Sequence, residues 1–398
     1  MPAPQPNRKN EPKIPRLVSA LLDWFLQNAR DLPWRHTLDP YAIWISEIML
    51  QQTQVKTVIP YWERWMRELP TVQAAAKASP ARIHKLWEGL GYYTRVRNLQ
   101  KAAQEIVKKD GGRFPQTFDT VLALPGIGRY TAGAICSIAF NQPTPILDGN
   151  VIRVLTRVFG IGENPREKKT NTRLWQLAEG LVLHASRFTY HVSRPKSRTR
   201  TRDEDEKAYA CSHLNQSLME LGALVCTPRN PQCEICPVKK LCVAYRQNRV
   251  EELPNLGKRE AATTRYFVAF VVERNGRFLV RQRPAGVVNA HLWEFPNAEA
   301  DSSSVKGVFK SIFGFAPPAL QPLCTVKHSI TRYRITLEAF HVRFGGRIST
   351  TPKICQARSV RPSELGVWQT PAQMNRLAFA SAHKKLASAA TRCILSGR

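Results

Sequence analysis

The sequence predicts two domains of different class, an all-helical domain over residues 15–245 and an α+β domain over 264–398. Three observations predict this. From Leu17 to about Phe159 apolar residues recur at helical spacing, interrupted only by Pro and Gly, with no alternating run that reads as a strand. Beyond it the period changes to the β-branched and aromatic run Tyr266–Val272, followed by Asn275-Gly276, a strong hairpin signal. Between the two patterns four cysteines crowd into residues 226–242. A length of 398 residues accommodates two to three ordinary domains.

Taken in order, residues 1–14 are polar, basic and Pro-rich and predict a disordered tail. Leu17, Leu21, Leu22, Phe25 and Leu26 then open the first helix. Leu124-Pro125-Gly126-Ile127-Gly128, followed by Arg129–Ala132, predicts a turn between two helices over 124–132. Gly126 and Gly128 let the backbone approach a phosphate there, and the next helix offers it free N–H groups. Residues 186–207 read as a basic loop insertion, with six basic and no acidic residues between Ser186 and Arg202. Helical character returns at Leu214–Leu221 and runs into the cysteines. The polar stretch 246–263, with Pro254 and Gly257, predicts an interdomain linker. In the second domain Tyr333, Ile335, Leu337 and Ala339 alternate with polar partners as a strand with one buried face, and Ala372–Leu395 predicts a closing helix.

Charge narrows the partners. Lys and Arg total 59 against 30 Asp and Glu, a formal net charge of +29, and the second domain alone carries 20 basic and 6 acidic residues. Such a surplus on both domains predicts a polyanion, nucleic acid before anionic membrane. No uncharged apolar run is long enough to span a bilayer, and the N-terminus has no apolar signal region. Sparse cysteines and no signal predict a reducing compartment; the expected location is the bacterial cytoplasm at the nucleoid, and the expected state a monomer.

Cys226, Cys233, Cys236 and Cys242 follow a C-x6-C-x2-C-x5-C spacing that lets all four thiolates meet one centre. Spacing leaves two centres open. A structural zinc more often shows two C-x2–4-C pairs, and only one such pair is present, so an iron-sulfur cluster is favoured. Two carboxylates are candidates for chemistry, though local sequence alone also fits a partly exposed Glu beside an apolar stripe and a simple helix cap. Glu47 lies among Ile43, Trp44, Ile48 and Leu50 on a predicted helix, where desolvation raises a carboxyl pKa and lets it carry a proton. Asp148, in Leu147-Asp148-Gly149-Asn150, precedes a helix whose N-terminus keeps it ionised. Carboxylates pushed apart in pKa suit cleavage of a glycosidic bond.

Leu32-Pro33-Trp34-Arg35, the run Ser46–Thr53, Gly89–Tyr93, the Gly126/Gly128 turn, Leu147–Asn150 and the cysteine cluster occur in that order, and with them the chain resembles the adenine DNA glycosylases of the MutY family over residues 15–245. The resemblance implies a two-lobed helix-hairpin-helix glycosylase domain, a 4Fe-4S cluster on the four cysteines and a Nudix-like C-terminal domain. It implies double-stranded DNA with adenine mispaired with 8-oxoguanine or guanine as substrate. It gives Glu47 the protonation of adenine N7 and Asp148 the sugar cation, supported by Tyr130 and Asn150. Arg30, Leu32, Trp34, Arg35 and Glu220 match positions lining the adenine pocket, and Leu50, Gln52 and Tyr92 match those that fill or support the opened duplex. Arg229, Lys239 and Lys240 are expected to face phosphate.

Two departures stand out. Residues 186–207 are longer than the family pattern. Ile330-Thr331-Arg332 stands where the family carries Phe-Ser-His to read the lesion, and the second domain lacks the Glu-rich box of active Nudix hydrolases, which predicts no nucleotide hydrolysis. Two other readings compete. An endonuclease-III-like glycosylase and AP lyase requires a lysine where Tyr130 stands, and a non-enzymatic cluster-bearing DNA-binding protein gives Glu47 no role.

Overall fold

The computed structural model describes residues 13–187, 209–257, 261–300, 304–330, 332–344 and 366–396. Its helices are α1 (Lys13–Asn28), α2 (Pro40–Leu50), α3 (Val55–Glu68), α4 (Val72–Lys77), α5 (Pro80–Trp87), α6 (Thr94–Asp110), α7 (Phe118–Leu122), α8 (Arg129–Phe140), α9 (Gly149–Phe159), α10 (Lys168–Ala185), α11 (Ala210–Leu224), α12 (Val243–Arg246) and α13 (Val305–Phe313). The chain divides into two compact units, residues 1–77 with 98–259, and residues 78–97 with 260–398. The second grouping differs from the sequence expectation, which left 78–97 in the helical domain.

In the first unit α1 turns Leu17, Val18, Leu21, Leu22 and Phe25 inward, while Leu26 stays 41% exposed. That face packs with Leu155, Leu181, Leu214 and Leu218 from α9, α10 and α11. The helix starts inside the expected tail, because the Lys13 ammonium donates to Val158 O at 2.7 Å and sits over the Phe159 ring. Most of the basic insertion lies outside the described residues. The expected linker is also partly structural: Leu253 is buried, and its carbonyl accepts the Arg157 guanidinium at 2.8 Å. An ordered chain therefore continues past residue 245.

The second unit is built on a mixed sheet, β1 (Thr263–Arg274), β2 (Arg277–Gln282), β3 (Trp293–Glu294), β4 (Asn297–Glu299), β5 (Gln321–Ile330), β6 (Tyr333–Phe344) and β7 (Val367–Gln369). The central order is β3-β2-β1-β6-β5, with β1 and β6 parallel. Asn275 and Gly276 both take positive φ, as a tight hairpin between β1 and β2 requires. Alternation along β1 splits the interior into two layers: Ala269 and Val271 meet Phe379 and Leu386 on one face, and Val268, Phe270 and Val272 meet Phe309 and Phe313 of α13 on the other. The predicted closing helix is interrupted. After the short helix Pro371–Met374 the chain extends to pair Phe379 with Trp293, and the long helix Ser381–Ser396 begins only then. Backbone bonding to β3, invisible in the local pattern, overrides the helical periodicity.

Candidate active site and cluster loop

One cavity of about 590 Å³ in the first unit gathers most of the expected residues: Arg30, Leu32, Trp34, Arg35, Glu47, Leu50, Gln52, Tyr130, Asp148, Asn150 and Glu220 all line it. Helix α2 delivers Glu47. Asp39 caps the helix, Pro40 starts it, and every residue from Tyr41 to Met49 is buried, so the carboxylate enters an apolar wall. One oxygen, Glu47 Oε2, accepts the Tyr130 hydroxyl at 2.8 Å. Burial pushes the Glu47 carboxyl up to about 7; the negative Asp148 acts in the same direction, while the Tyr130 hydrogen bond and Arg35 oppose it.

Asp148 is the N-cap of α9. Its Oδ1 accepts Val151 N–H at 2.8 Å and its Oδ2 accepts the Asn150 amide at 3.0 Å. The helix terminus does not set its pKa alone. Burial pushes the Asp148 carboxyl above the usual range, and the bonds from Val151 and Asn150 oppose this without cancelling it. The cap is where the sequence placed it, and burial adds a raising influence that the local pattern did not show. Asn150 is itself fixed: its Oδ1 accepts Arg153 Nη2 at 2.7 Å, and the same guanidinium donates to Gly222 O and Cys226 O, each at 2.7 Å. A Cβ on Gly222 would stand 2.6 Å from Asn150 Cβ, so glycine is what lets α11 approach the start of α9.

The far wall is a buried ion cluster. Glu220 takes Arg30 Nη2 at 2.8 Å and Arg35 Nη2 at 2.9 Å. Burial alone would raise its pKa, yet the two guanidinium groups hold it down to about 2. Sequence reasoning missed Gln51, Gln216, Met219 and Ala223, which also line the cavity. The last three were legible, because 216, 219, 220 and 223 share one helical face.

Other expected residues lie elsewhere. Gly126 and Gly128 form the turn into α8, where Gly126 has a φ of 77° and Gly128 caps the helix without a side chain, leaving its first N–H groups uncovered by a cap. Tyr92, Ile330 and Arg332 belong to the second unit. Ile330 ends β5 opposite Tyr333, and the Arg332 guanidinium lies 5.4 Å from the Tyr333 ring centroid. Thr331 lies outside the described residues.

All four cysteines of the loop line a second, small cavity together with Val154, Arg157, Leu221 and Val238. The four thiols therefore border one common space at the edge of the helical core. Burial and the charge of the other thiols push Cys236 up to about 12. Bare thiolates are disfavoured in such a ring, and a cationic iron-sulfur core relieves that. Arg157 Nη1 lies 3.4 Å from Cys226 Sγ and 2.7 Å from Thr227 O, supporting the rim. Arg229 and Lys240 are exposed, but Lys239 is ion-paired with Glu234, a partner the phosphate expectation overlooked.

Comparison with known proteins agrees with this arrangement. Residues 45–179 match the HhH-GPD superfamily of base excision DNA repair proteins, 226–242 the iron-sulfur binding domain of endonuclease III, and 267–389 the NUDIX domain. The adenine DNA glycosylase of Rattus norvegicus is 36% identical, covering 92% of this chain and 76% of the relative, and that of Homo sapiens is 34% identical over 92% and 72%. A solved thermostable thymine-DNA glycosylase is 30% identical over 60% of this chain and 99% of its own, with a TM-score of 0.50. With a 4Fe-4S loop behind an acid-bearing cavity and relatives of one activity along most of its length, the chain belongs to the adenine DNA glycosylase family.

Proposed function

We propose that this enzyme excises adenine from mispairs with 8-oxoguanine or guanine, with Glu47 as the acid and Asp148 as the group facing the sugar cation. The observation that supports it best is the pairing in one cavity of a carboxyl held near neutrality with a second, oriented carboxylate. An adenine flipped out of the stack, at a cost of a few kcal/mol, enters between Trp34 and the Glu220 wall. Glu47 hands a proton to N7, which turns the base into a leaving group. As the glycosidic bond lengthens, Asp148 meets the developing positive charge on the sugar, its orientation kept by Asn150 and Val151 N–H. Tyr130, a phenol where a lyase carries an amine, forms no Schiff base, so the strand is left intact. Leu50, Gln52 and Tyr92 fill or support the vacated duplex. When bound, the 4Fe-4S cluster supplies cross-linking of the loop that carries Arg229 and Lys240.

On the second unit, Ile330, Thr331 and Arg332 read the partner base. An Arg fork suits O6 and N7 of guanine better than the N7–H of the lesion, so the preference for 8-oxoguanine over guanine is weaker here than with Phe-Ser-His. The test is a single-turnover assay on duplexes with adenine opposite 8-oxoguanine, guanine, cytosine and thymine, for wild type and Glu47→Gln. Excision confined to the first two, lost in the variant while mispair binding persists, is the expected result. Excision retained by Glu47→Gln removes the acid assignment.

A further inference from the structure

In the second unit the loop that carries Tyr92 is tied to the sheet by one buried carboxylate. Glu88, only 5% exposed, sits at the C-terminus of α5 and takes three donors. They are Lys85 Nζ at 2.8 Å, Lys384 Nζ at 2.7 Å and the Phe379 N–H at 2.9 Å. Burial by itself would raise the Glu88 pKa, and these donors overcome it and bring it below the usual carboxylate range. One of the donors, Phe379, belongs to the stretch that breaks the closing helix to pair with β3, and another, Lys384, to the first turn of the long helix that follows. Lys85 also reaches Leu377 O at 2.9 Å, and Arg97 Nη1 reaches Ala290 O at 3.1 Å. The residues on both sides of the loop are thus bonded to the sheet-bearing part of the unit.

The loop itself has little freedom. Gly89 and Gly91 take positive φ, and so does Tyr92 at 47°, a conformation an aromatic residue adopts only when its surroundings impose it. Arg95 Nη2 donates to Leu90 O at 3.1 Å and Gly91 O at 3.2 Å, and Trp87 Nε1 donates to Gly91 O at 3.0 Å. Tyr92 nevertheless presents 45% of its surface to solvent. A fixed, strained, exposed aromatic ring on a loop is built to push against something.

We infer that Glu88 is a positioning residue for mispair recognition: it clamps the 89–93 loop to the Phe379–Lys384 segment, so that the sheet unit sets where Tyr92 enters the duplex. The inference rests on the reading of Tyr92 as a duplex-filling residue. It adds that the unit bearing Ile330 and Arg332 and the wedge move as one body, so partner-base reading and wedge insertion are coupled through Glu88.

The experiment is a double-mutant cycle on the full-length, cluster-loaded protein. Binding is measured to a duplex with a non-excisable adenine analogue opposite 8-oxoguanine and to its matched control. A 2-aminopurine beside the mispair reports unstacking. Tyr92→Ala and Glu88→Ala each lower the mispair-over-match ratio by about tenfold and quench the unstacking signal, and the double variant is no worse than Tyr92→Ala. Lys384→Met, at a half-exposed position, gives a smaller loss in the same direction without threatening the fold, and it decides the question if Glu88→Ala proves unstable. An unaltered ratio in Tyr92→Ala removes the wedge reading. A normal Tyr92 effect with additive losses from Glu88→Ala, or none from Lys384→Met, overturns the clamp while leaving the wedge in place.

Discussion

Glu47 has only one free oxygen. With Oε2 accepting the Tyr130 hydroxyl, the other oxygen is the one left to carry the proton that the proposed acid donates. In the proposed role the acid works protonated, and with its pKa raised to about 7 the expected kcat/KM falls as pH rises through about 7. The proposed role of Asp148 requires it ionised, so activity is also expected to fall in acid, through a pKa above that of an exposed aspartate. Tyr130→Phe removes a bond that lowers the Glu47 pKa. Its alkaline limb therefore moves to higher pH even as the maximal rate drops, and a pH profile of single-turnover rates checks both shifts. The burial of Glu47 was legible because Ile43, Trp44 and Ile48 flank it within one helix. The raised pKa of Asp148 was not. Its cap partners are local, but it is buried in a cavity walled also by α2 and α11, which the local pattern does not show.

Helix α9 works as a rod with chemistry at both ends. Asp148 caps its start, Arg153 and Arg157 follow one turn apart, and both guanidinium groups end on backbone carbonyls of the cysteine loop, Cys226 and Thr227. The catalytic end and the cluster end thereby share one rigid element. Gly222 sets the gap beside it. Gly222→Ala forces Asn150 to move, so excision slows about tenfold or more, in line with overpacking costs of ~1–3 kcal/mol, while the iron content measured on the same sample stays near that of wild type. The start of helix α9 was readable from Asp148 as its cap, while its end at Gly160 is a finding of the structure. The interruption of the closing helix at residues 375–380 was not, since its cause is a partner strand some ninety residues earlier.

The whole molecule meets DNA through charge. With 59 basic against 30 acidic residues, binding to a matched duplex draws mainly on counterion release. Raising salt from 50 to 200 mM should weaken it by at least about tenfold, and titration of a fluorescent duplex at several salt concentrations checks this. A shallow slope contradicts a phosphate-tracking surface. The two domain classes were plain from the change of period near Tyr266. The membership of residues 78–97 in the sheet unit was hidden, because a helical pattern says how a segment folds and not which neighbours it chooses.

The active cavity is assembled from distant parts of the chain: the Arg30–Glu220 bond joins residues 190 positions apart. A chain emerging N-terminus first therefore cannot close this cavity until α11 has been made. The cysteines come directly afterwards, and α9 already waits for them with both of its guanidinium groups. The cysteine loop is thus added when the helices it packs on, α9 and α11, have already been made, so cavity and loop can both form only once most of the helical unit is present.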